Sequence, residues 1–308
     1  MSQPSLDQHL KPGYIGVGAR HPHFDDFAAG RVDVDWVEVH SETFFCEGGQ
    51  RLSVLERICS HYPVSFHGVN LSLGSSERPS KLHIDQLKKM IKDFNPFLIS
   101  EHLSWGKIDQ IYMNDLLPLP LTKESLENFV TNTDILQQAL GQKILLENPS
   151  TYLRFTHQEM TEWEFLSQIV LKTGCGLLLD LNNIYVSACN HNLDALDWID
   201  AFDSEWVGEY HLAGHRVEKG ANHLIRIDDH ASPVIDPVWD LFFKALSKYG
   251  KRHAMIEWDL NVPALPVLMK EVEKMRAFFE TDKMQTDTHK NQRTATSKTK
   301  TRDNHKVA

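Results

Sequence analysis

The chain has 308 residues, of which 41% are hydrophobic and 24% are charged, and its formal net charge at pH 7 is −10. This composition is typical of a globular protein, and no apolar run reaches the roughly 18 residues that a membrane-spanning helix requires. An acidic protein is repelled by a phosphate backbone, so we expect no nucleic acid among its partners. Because no apolar run is long enough, we expect no membrane either.

The cysteines and the first residues indicate the cytoplasm. Cysteine occurs only at positions 46, 59, 175 and 189, and no two of these form a CxxC pair, which excludes a zinc ribbon or a thioredoxin-like motif. The start of the chain, MSQPSLDQHLKPG, lacks the basic flank and apolar stretch of a signal peptide. Sparse cysteine in such a chain is typical of a reducing compartment, so we expect a cytoplasmic protein.

Residues 281–308 differ in composition from the rest of the chain. They contain seven Lys or Arg residues against three Asp, a balance of +4, which leaves −14 for residues 1–280. This segment has no aromatic residue and no hydrophobic periodicity, a composition typical of disorder. We therefore predict a single domain over residues 1–280 and a disordered, polar, basic tail over residues 281–308.

Short β-rich segments alternate with helical patterns along the domain. Strands are predicted over residues 14–19, 35–42, 64–72, 97–105, 143–150, 176–183, 207–215 and 253–259. Helices are predicted over residues 80–94, 122–140, 159–174, 236–250 and 262–279, and a long polar loop over residues 213–238. Repeats of this kind, about 30 residues long, predict the α/β class and a (β/α)8 TIM barrel.

The predicted strands share one feature, which is that apolar residues come first and His or acidic residues follow. GLLLDLNN, residues 176–183, shows it most clearly, because three leucines precede one aspartate and two asparagines. The carboxyl ends of barrel strands meet at one face, so these side chains should converge there. The polar positions at strand ends and in the loop after the seventh strand are Glu38, His40, Glu42, His67, Asn70, Glu101, His102, Glu147, Asp180, Asn182, Asn183, Glu209, His211, His215, Asp228, Asp229, His230, Glu257 and Asp259.

Such a gathering of acids and imidazoles indicates metal ions. Carboxylates crowded into one cavity raise one another's pKa values, and multivalent cations remove that penalty. Zinc takes about four ligands and iron or manganese about six, so this set is large enough for two or three ions, and the lack of thiolates favours iron, manganese or zinc. The strongest candidates are His67, His102, Glu147, Asp180, His211, Asp228, His230 and Glu257.

Other interpretations stay open at this point. Any one of these residues alone is more simply a satisfied polar side chain or a loop anchor, and Glu101 and Glu209 are expected to lie behind the ligands at best. A di- or trinuclear hydrolase or isomerase on the same barrel would gather similar residues. A non-enzymatic metal-binding protein would do so as well.

Seven motifs, taken together, resemble those of the multinuclear non-heme iron-dependent oxidative enzymes, a bacterial family that includes the methanobactin-biosynthesis oxidase. The motifs occur in order within residues 12–275 and read HGVNLSLG (67–74), SEHLSW (100–105), LLENPS (145–150), LLLDLNNIYV (177–186), YHLAGH (210–215), DDH (228–230) and IEWD (256–259). The resemblance implies a xylose-isomerase-like TIM barrel with a metal cluster at the C-terminal face of its strands.

The resemblance also implies how the ligands are divided among the ions. His67, His102 and Glu147 would hold one iron, and Asn183, Asp228 and His230 would hold another. Glu147 would bridge to a further iron held by Asp180, His211 and Glu257, and these last three are expected to be catalytic. Strand alternation, by contrast, would place Asn182 rather than Asn183 on the face of Asp180.

Members of this family use O2 to modify a cysteine in a ribosomally made precursor peptide, commonly giving oxazolone/thioamide or thiooxazole products. The resemblance therefore implies two or three irons in mixed Fe(II)/Fe(III) states, O2 as co-substrate and a Cys-containing precursor peptide. A small partner protein that presents the peptide is also implied. Because the substrate loses electrons, a redox metal such as iron is required and zinc could not serve.

Overall fold

In the computed structural model, which describes residues 14–109, 111–220 and 224–280, strands and helices alternate along the chain. The strands are β1 (Ile15–Gly18), β2 (Trp36–His40), β3 (Val64–His67), β4 (Leu98–His102), β5 (Trp105–Ile108), β6 (Ile111–Leu117), β7 (Leu145–Glu147), β8 (Gly176–Asp180), β9 (Val207–Leu212), β10 (Arg216–Lys219), β11 (Leu224–Ile227) and β12 (His253–Ile256). The helices are α1 (Phe24–Ala28), α2 (Gln50–Cys59), α3 (Lys81–Phe94), α4 (Lys123–Leu140), α5 (Glu162–Thr173), α6 (Leu181–His191), α7 (Leu196–Ala201) and α8 (Asp236–Tyr249), and residues 265–280 are also helical.

Eight of these strands form a closed parallel barrel in the order β1-β12-β9-β8-β7-β4-β3-β2. The predicted (β/α)8 TIM barrel is therefore confirmed. The register pairs His40 with His67, His102 with Glu147, and Asp180 with His211. This register places polar residues that are far apart in the chain at the same height along the barrel axis. Their side chains therefore meet at one face of the barrel.

The apolar runs form strands that are buried on both faces. Leu177, Leu178 and Leu179 of β8 are all fully buried, because the barrel interior takes one face and the surrounding helices cover the other. Two predicted helix-end signals are confirmed: Ser80 caps α3 by accepting a hydrogen bond from the His83 amide, and Gly174 ends α5 in the left-handed conformation. No helix in the described part of the chain is long and apolar enough to cross a membrane.

Several predicted segments differ in the structure, among them the third strand, which ends at His67 and leaves Asn70 in the loop that follows. The sixth strand ends at Asp180, and Asn182 and Asn183 lie in the first turn of α6. The fourth strand ends at His102 and is followed by the antiparallel hairpin of β5 and β6. The predicted polar loop over residues 213–238 contains a second hairpin, formed by β10 and β11. The predicted tail, residues 281–308, lies outside the described residues.

Gly16 in β1 is expected to be essential for the packing of the barrel. A Cβ atom added at Gly16 would lie 2.4 Å from the ring of Trp36, a side chain with no exposed surface. We expect Gly16→Ala to lower the free energy of unfolding by about 1–3 kcal/mol, because a rigid buried ring cannot move aside. Urea denaturation measures the change.

Gly48→Ala is the matched control, because a Cβ atom there would meet nothing within 4 Å. Its effect on the free energy of unfolding should stay within about 0.5 kcal/mol. Equal losses in the two variants would contradict the packing argument.

Candidate metal centre

A cavity of about 330 Å³ opens at the C-terminal ends of the barrel strands. Most of the residues predicted to bind metal line it, and the two hairpins contribute to its rim through Leu116, Asp228 and Asp229. The predicted ligands in its lining are His67, His102, Glu147, Asn183, Asp228, His230 and Glu257.

His67, His102 and Glu147 form the first group of potential ligands. Each offers one atom, and these atoms all lie within 4.8 Å of one another. Glu147 Oε2 is 3.2 Å from His67 Nε2 and 3.3 Å from His102 Nε2. Burial lowers the pKa of His102 to about 4 and the pKa of His67 well below its usual value, so both imidazoles are neutral near pH 7.

The tautomer of His102 follows from its other nitrogen. Nδ1 is 2.9 Å from the carbonyl oxygen of Gly68, which can only accept, so Nδ1 must donate and Nε2 carries the lone pair. That lone pair points toward the carboxylate of Glu147. Two electron-rich atoms at this distance repel each other unless a proton or a metal cation lies between them. A neutral imidazole with its second nitrogen donating is the form that binds metals.

Glu147, Asp180, His211 and Glu257 form the second group, and their ligand atoms also lie within 4.8 Å of one another. Burial raises the pKa of Asp180 to about 7 and that of Glu147 well above its usual value. Burial acts in the same direction on Glu257, but His230 and His211 outweigh it and hold the pKa of Glu257 well below its usual value. A bound cation would favour the ionised form of all three acids.

Asn183, Asp228 and His230 lie beside these groups. Asp228 Oδ1 is 2.7 Å from His230 Nε2, and the same oxygen accepts a hydrogen bond of 2.7 Å from Asn182 Nδ2. Asn183 lines the cavity, and its Nδ2 donates to Glu147 Oε1 and to the Asn148 carbonyl. The expectation from strand alternation is wrong, because these asparagines lie in a helical turn. Asn183 faces the cavity, and Asn182 supports Asp228.

The donor set fits a metal site. Glu147 Oε2, Asp180 Oδ2 and Asn183 Oδ1 are buried and have no hydrogen-bond donor among the described residues, an arrangement that is costly unless something else binds them. The spacings of 3.2 and 3.3 Å around Glu147 equal the separation of two ligands that share an ion at about 2.1 Å. The assignment of individual ligands to individual ions stays a prediction.

Arg20 is a residue of the site that the sequence interpretation missed. Its guanidinium lies 3.0 Å from Glu257 Oε1 and also pairs with Asp259. Burial would lower the pKa of Arg20, but Asp259, Glu257 and Glu38 overcome that effect and raise it. Arg20 lies two residues after the end of β1. The rule that found the other residues, polar groups at strand ends, would have included Arg20 if basic side chains had been considered as well as possible ligands.

Several other predicted polar residues lie outside the cavity. Glu42 and Glu101 form a separate cluster with His83, in which Glu42 accepts hydrogen bonds from the Val69 and Asn70 amides. His215 contacts Asn182 Oδ1 through Nδ1 at 2.7 Å. These residues support the loops that carry the potential ligands. Glu38 and Glu209 lie behind His211.

A family model for the RiPP precursor modification enzymes MbnB/TglH/ChrH matches residues 14–280. This chain belongs to the MbnB/TglH/ChrH family. The match confirms the predicted family and covers nearly all of the described residues. It identifies the chain as an enzyme that modifies RiPP precursors, the ribosomally made peptides that are altered after translation.

Relatives of this MbnB/TglH/ChrH protein are similar over nearly their whole length. A UPF0276 protein of Vibrio vulnificus is 44% identical over 261 residues, which cover 85% of this chain and 90% of the relative. A UPF0276 protein of Psychromonas ingrahamii is 44% identical over 266 residues, with 86% and 94% covered.

Solved structures with low sequence identity share the fold. An L-ribulose 3-epimerase superposes with a TM-score of 0.61 at 13% identity, covering 89% of this chain and 97% of its own. Endonuclease IV from Thermus thermophilus gives a TM-score of 0.56 at 15% identity, with 87% and 99% covered. These similarities show that the MbnB/TglH/ChrH protein has a xylose-isomerase-like TIM barrel.

Proposed function

We propose that this protein is an iron-dependent oxidase that uses O2 to modify cysteine residues of a ribosomally made precursor peptide, forming oxazolone/thioamide or thiooxazole products. The observation that carries the proposal is the pair of ligand groups that share Glu147 in one cavity. A carboxylate common to both groups is what a bridged pair of ions requires.

The donors and the proposed reaction together favour a redox-active metal such as iron over zinc. Both groups consist of imidazoles and carboxylates, and neither includes a cysteine. Such a set suits iron, manganese or zinc, and among these the oxidation of a thiol by O2 needs a metal that changes its redox state. These residues would hold two or three irons in mixed Fe(II)/Fe(III) states, which would supply the redox chemistry for the oxidation of a cysteine thiol with O2 as co-substrate.

The residues of the chain would hold and orient this centre. Arg20 donates to Glu257 at 3.0 Å and so fixes one carboxylate oxygen, leaving the other for a cation. Asn182, in the first turn of α6, donates a hydrogen bond from Nδ2 to Asp228 Oδ1 and so fixes that carboxylate oxygen. We infer that Asp180, His211 and Glu257 surround the reacting ion and are the catalytic residues, because their ligand atoms lie within 4.8 Å of one another.

The rim of the cavity is suited to a peptide. Apolar side chains are exposed on both hairpins and on neighbouring loops, where Ile111 is 61% exposed and Leu224 is 60% exposed. Of the exposed apolar residues, Tyr152 and Leu260 line the cavity itself, and exposed apolar residues of this kind are typical of an interaction surface. They support a precursor peptide as the substrate and a small partner protein that presents it. The exposed residues are Ile108, Ile111, Tyr112, Met113, Tyr152, Leu153, Val217, Leu224 and Leu260.

Iron content and a change in peptide mass test the proposal. Protein produced in iron-supplemented cells is expected to retain at least two irons per chain, measured by elemental analysis. Co-expression with Cys-containing candidate precursor peptides, chosen from short reading frames near the gene, is expected to change the mass of the true substrate, because the modified cysteine loses hydrogen. Mass spectrometry of the peptide, with a Cys→Ser peptide as control, measures the change.

Stoichiometric zinc without iron, together with an unchanged peptide mass, would contradict the proposed oxidase and favour hydrolysis on the same barrel. An equal mass change in the Cys→Ser peptide would show that cysteine is not the residue modified.

A further inference from the structure

Two fully buried glutamates lie behind the candidate metal centre. Glu38 on β2 and Glu209 on β9 have no exposed surface, and none of their four carboxylate oxygens has a hydrogen-bond partner within the described part of the chain. Burying an unpaired acid is among the most costly arrangements in a protein interior. Arg20 Nη2 is 4.0 Å from Glu38 Oε1, which is beyond hydrogen-bond distance, so the two glutamates need a further group that can donate to them.

That group is the imidazole of His211, which lies between acids on both sides. Its Nε2 is 3.3 Å from Glu38 Oε2 and 3.5 Å from Glu209 Oε1. Its Nδ1 is 3.2 Å from Glu257 Oε2. Glu257 lines the cavity, whereas Glu38 and Glu209 do not. His211 thus has one nitrogen on the cavity side and the other directed toward the buried pair.

A cation in the cavity would leave only one position for the proton of the His211 imidazole. A metal ion bound at Nδ1 replaces the proton that this nitrogen would otherwise hold, so the remaining proton lies on Nε2 and is donated to the glutamates. His102 differs, because its second nitrogen donates to the neutral carbonyl of Gly68. An anionic acceptor makes an imidazole a stronger electron donor than a neutral acceptor does.

We propose that Glu38 and Glu209 are positioning residues for His211. They accept its Nε2 proton, hold Nδ1 toward the cavity, and lower the reduction potential of the ion that His211 binds. This inference rests on the proposed function, because it requires a redox metal at His211. The alternative occupant of the space between the glutamates is a further cation, since Glu38, Glu209 and His211 ligand atoms lie within 4.8 Å of one another.

Glutamine substitutions test the inference, because they keep the size of the side chain and remove its charge. The variants are Glu38→Gln, Glu209→Gln and the double variant, each loaded with iron. We expect an unchanged number of irons per chain, a metal affinity that falls about 10–100-fold in competition with a chelator, and a higher reduction potential in spectroelectrochemical titration. Circular dichroism checks the fold of each variant. If the double variant does not fold, the affinity and reduction potential of the two single variants provide the test.

Glu162→Gln is the matched control. Glu162 is also a partly enclosed acid, but its carboxylate accepts a hydrogen bond from Trp198 and no predicted ligand contacts it. This variant should keep the iron affinity and reduction potential of the unsubstituted protein.

Two results would overturn the inference. Affinity and potential that stay unchanged in the glutamine variants would show that the glutamates do not act on His211. Loss of a whole further equivalent of metal would assign a cation, not a proton, to the space between them. Failure of the unsubstituted protein to bind iron would instead contradict the proposed function, so the two failures are distinguishable.

Discussion

Glu147→Gln is expected to abolish peptide modification and to remove at least one iron per chain. Glu147 belongs to both ligand groups, and its Oε2 lies within 3.3 Å of the Nε2 atoms of His67 and His102. Glutamine can present only one oxygen and carries no charge, so it cannot bridge two cations. Elemental analysis measures the iron, and the mass of the co-expressed peptide measures the activity.

The fold of Glu147→Gln should be retained. Burial raises the pKa of the Glu147 carboxyl well above its usual value, so a neutral amide there costs the metal-free barrel little. The thermal melting temperature of the chelator-treated variant should therefore match that of the chelator-treated unsubstituted protein. Full iron content in the variant would show that Glu147 does not bridge two irons. The two ligand groups would then bind metal independently.

Two substitutions of Asp180 are expected to separate metal binding from helix stability. Asp180 has two functions in the structure, because Oδ1 accepts a hydrogen bond of 2.6 Å from the Asn183 amide and caps α6, while Oδ2 is buried without a donor among the described residues. Asp180→Asn retains an oxygen for the cap and loses the second carboxylate oxygen. Asp180→Ala loses both. Each variant is expected to lose iron and to leave the precursor peptide unmodified.

The stabilities of the two variants should differ. In metal-free protein, Asp180→Ala should lower the free energy of unfolding by about 0.5–2 kcal/mol through loss of the N-cap. Asp180→Asn should not lower it measurably, because burial already raises the pKa of Asp180 to about 7 and disfavours its charge. Denaturant titration of chelator-treated protein measures both. An Asp180→Asn variant that retained full iron and full activity would exclude Asp180 as a ligand.

The strand-end rule located most of the cavity from sequence alone. Barrel strands read as continuous apolar runs because they are buried on both faces, and a polar residue that ends such a run is conspicuous. His67, His102 and Glu147 are identified in this way without knowledge of any contact, and the structure brings them within 4.8 Å of one another. The division of ligands among ions comes from the family resemblance and not from the pattern.

The same rule failed where the chain changes direction. Leu181 begins a helix directly after the last residue of β8, so the alternation of a strand does not extend to Asn182 and Asn183. The choice between them depends on the hydrogen bond from the Asn183 amide to Asp180, which forms only when the helical turn is in place. The two hairpins at the rim were missed because short exposed strands lack the apolar runs that mark barrel strands.

The sequence by itself determined the repeating βα pattern, the barrel and the kinds of donor atom at its C-terminal face, because each depends on local hydrophobicity and on residue type. Only the tertiary structure decided which nitrogen of His211 faces the cavity, that Arg20 holds Glu257, and that Glu38 and Glu209 lie behind the centre. These contacts join strands that are far apart in the chain. They exist only once the barrel has closed and set the register between those strands.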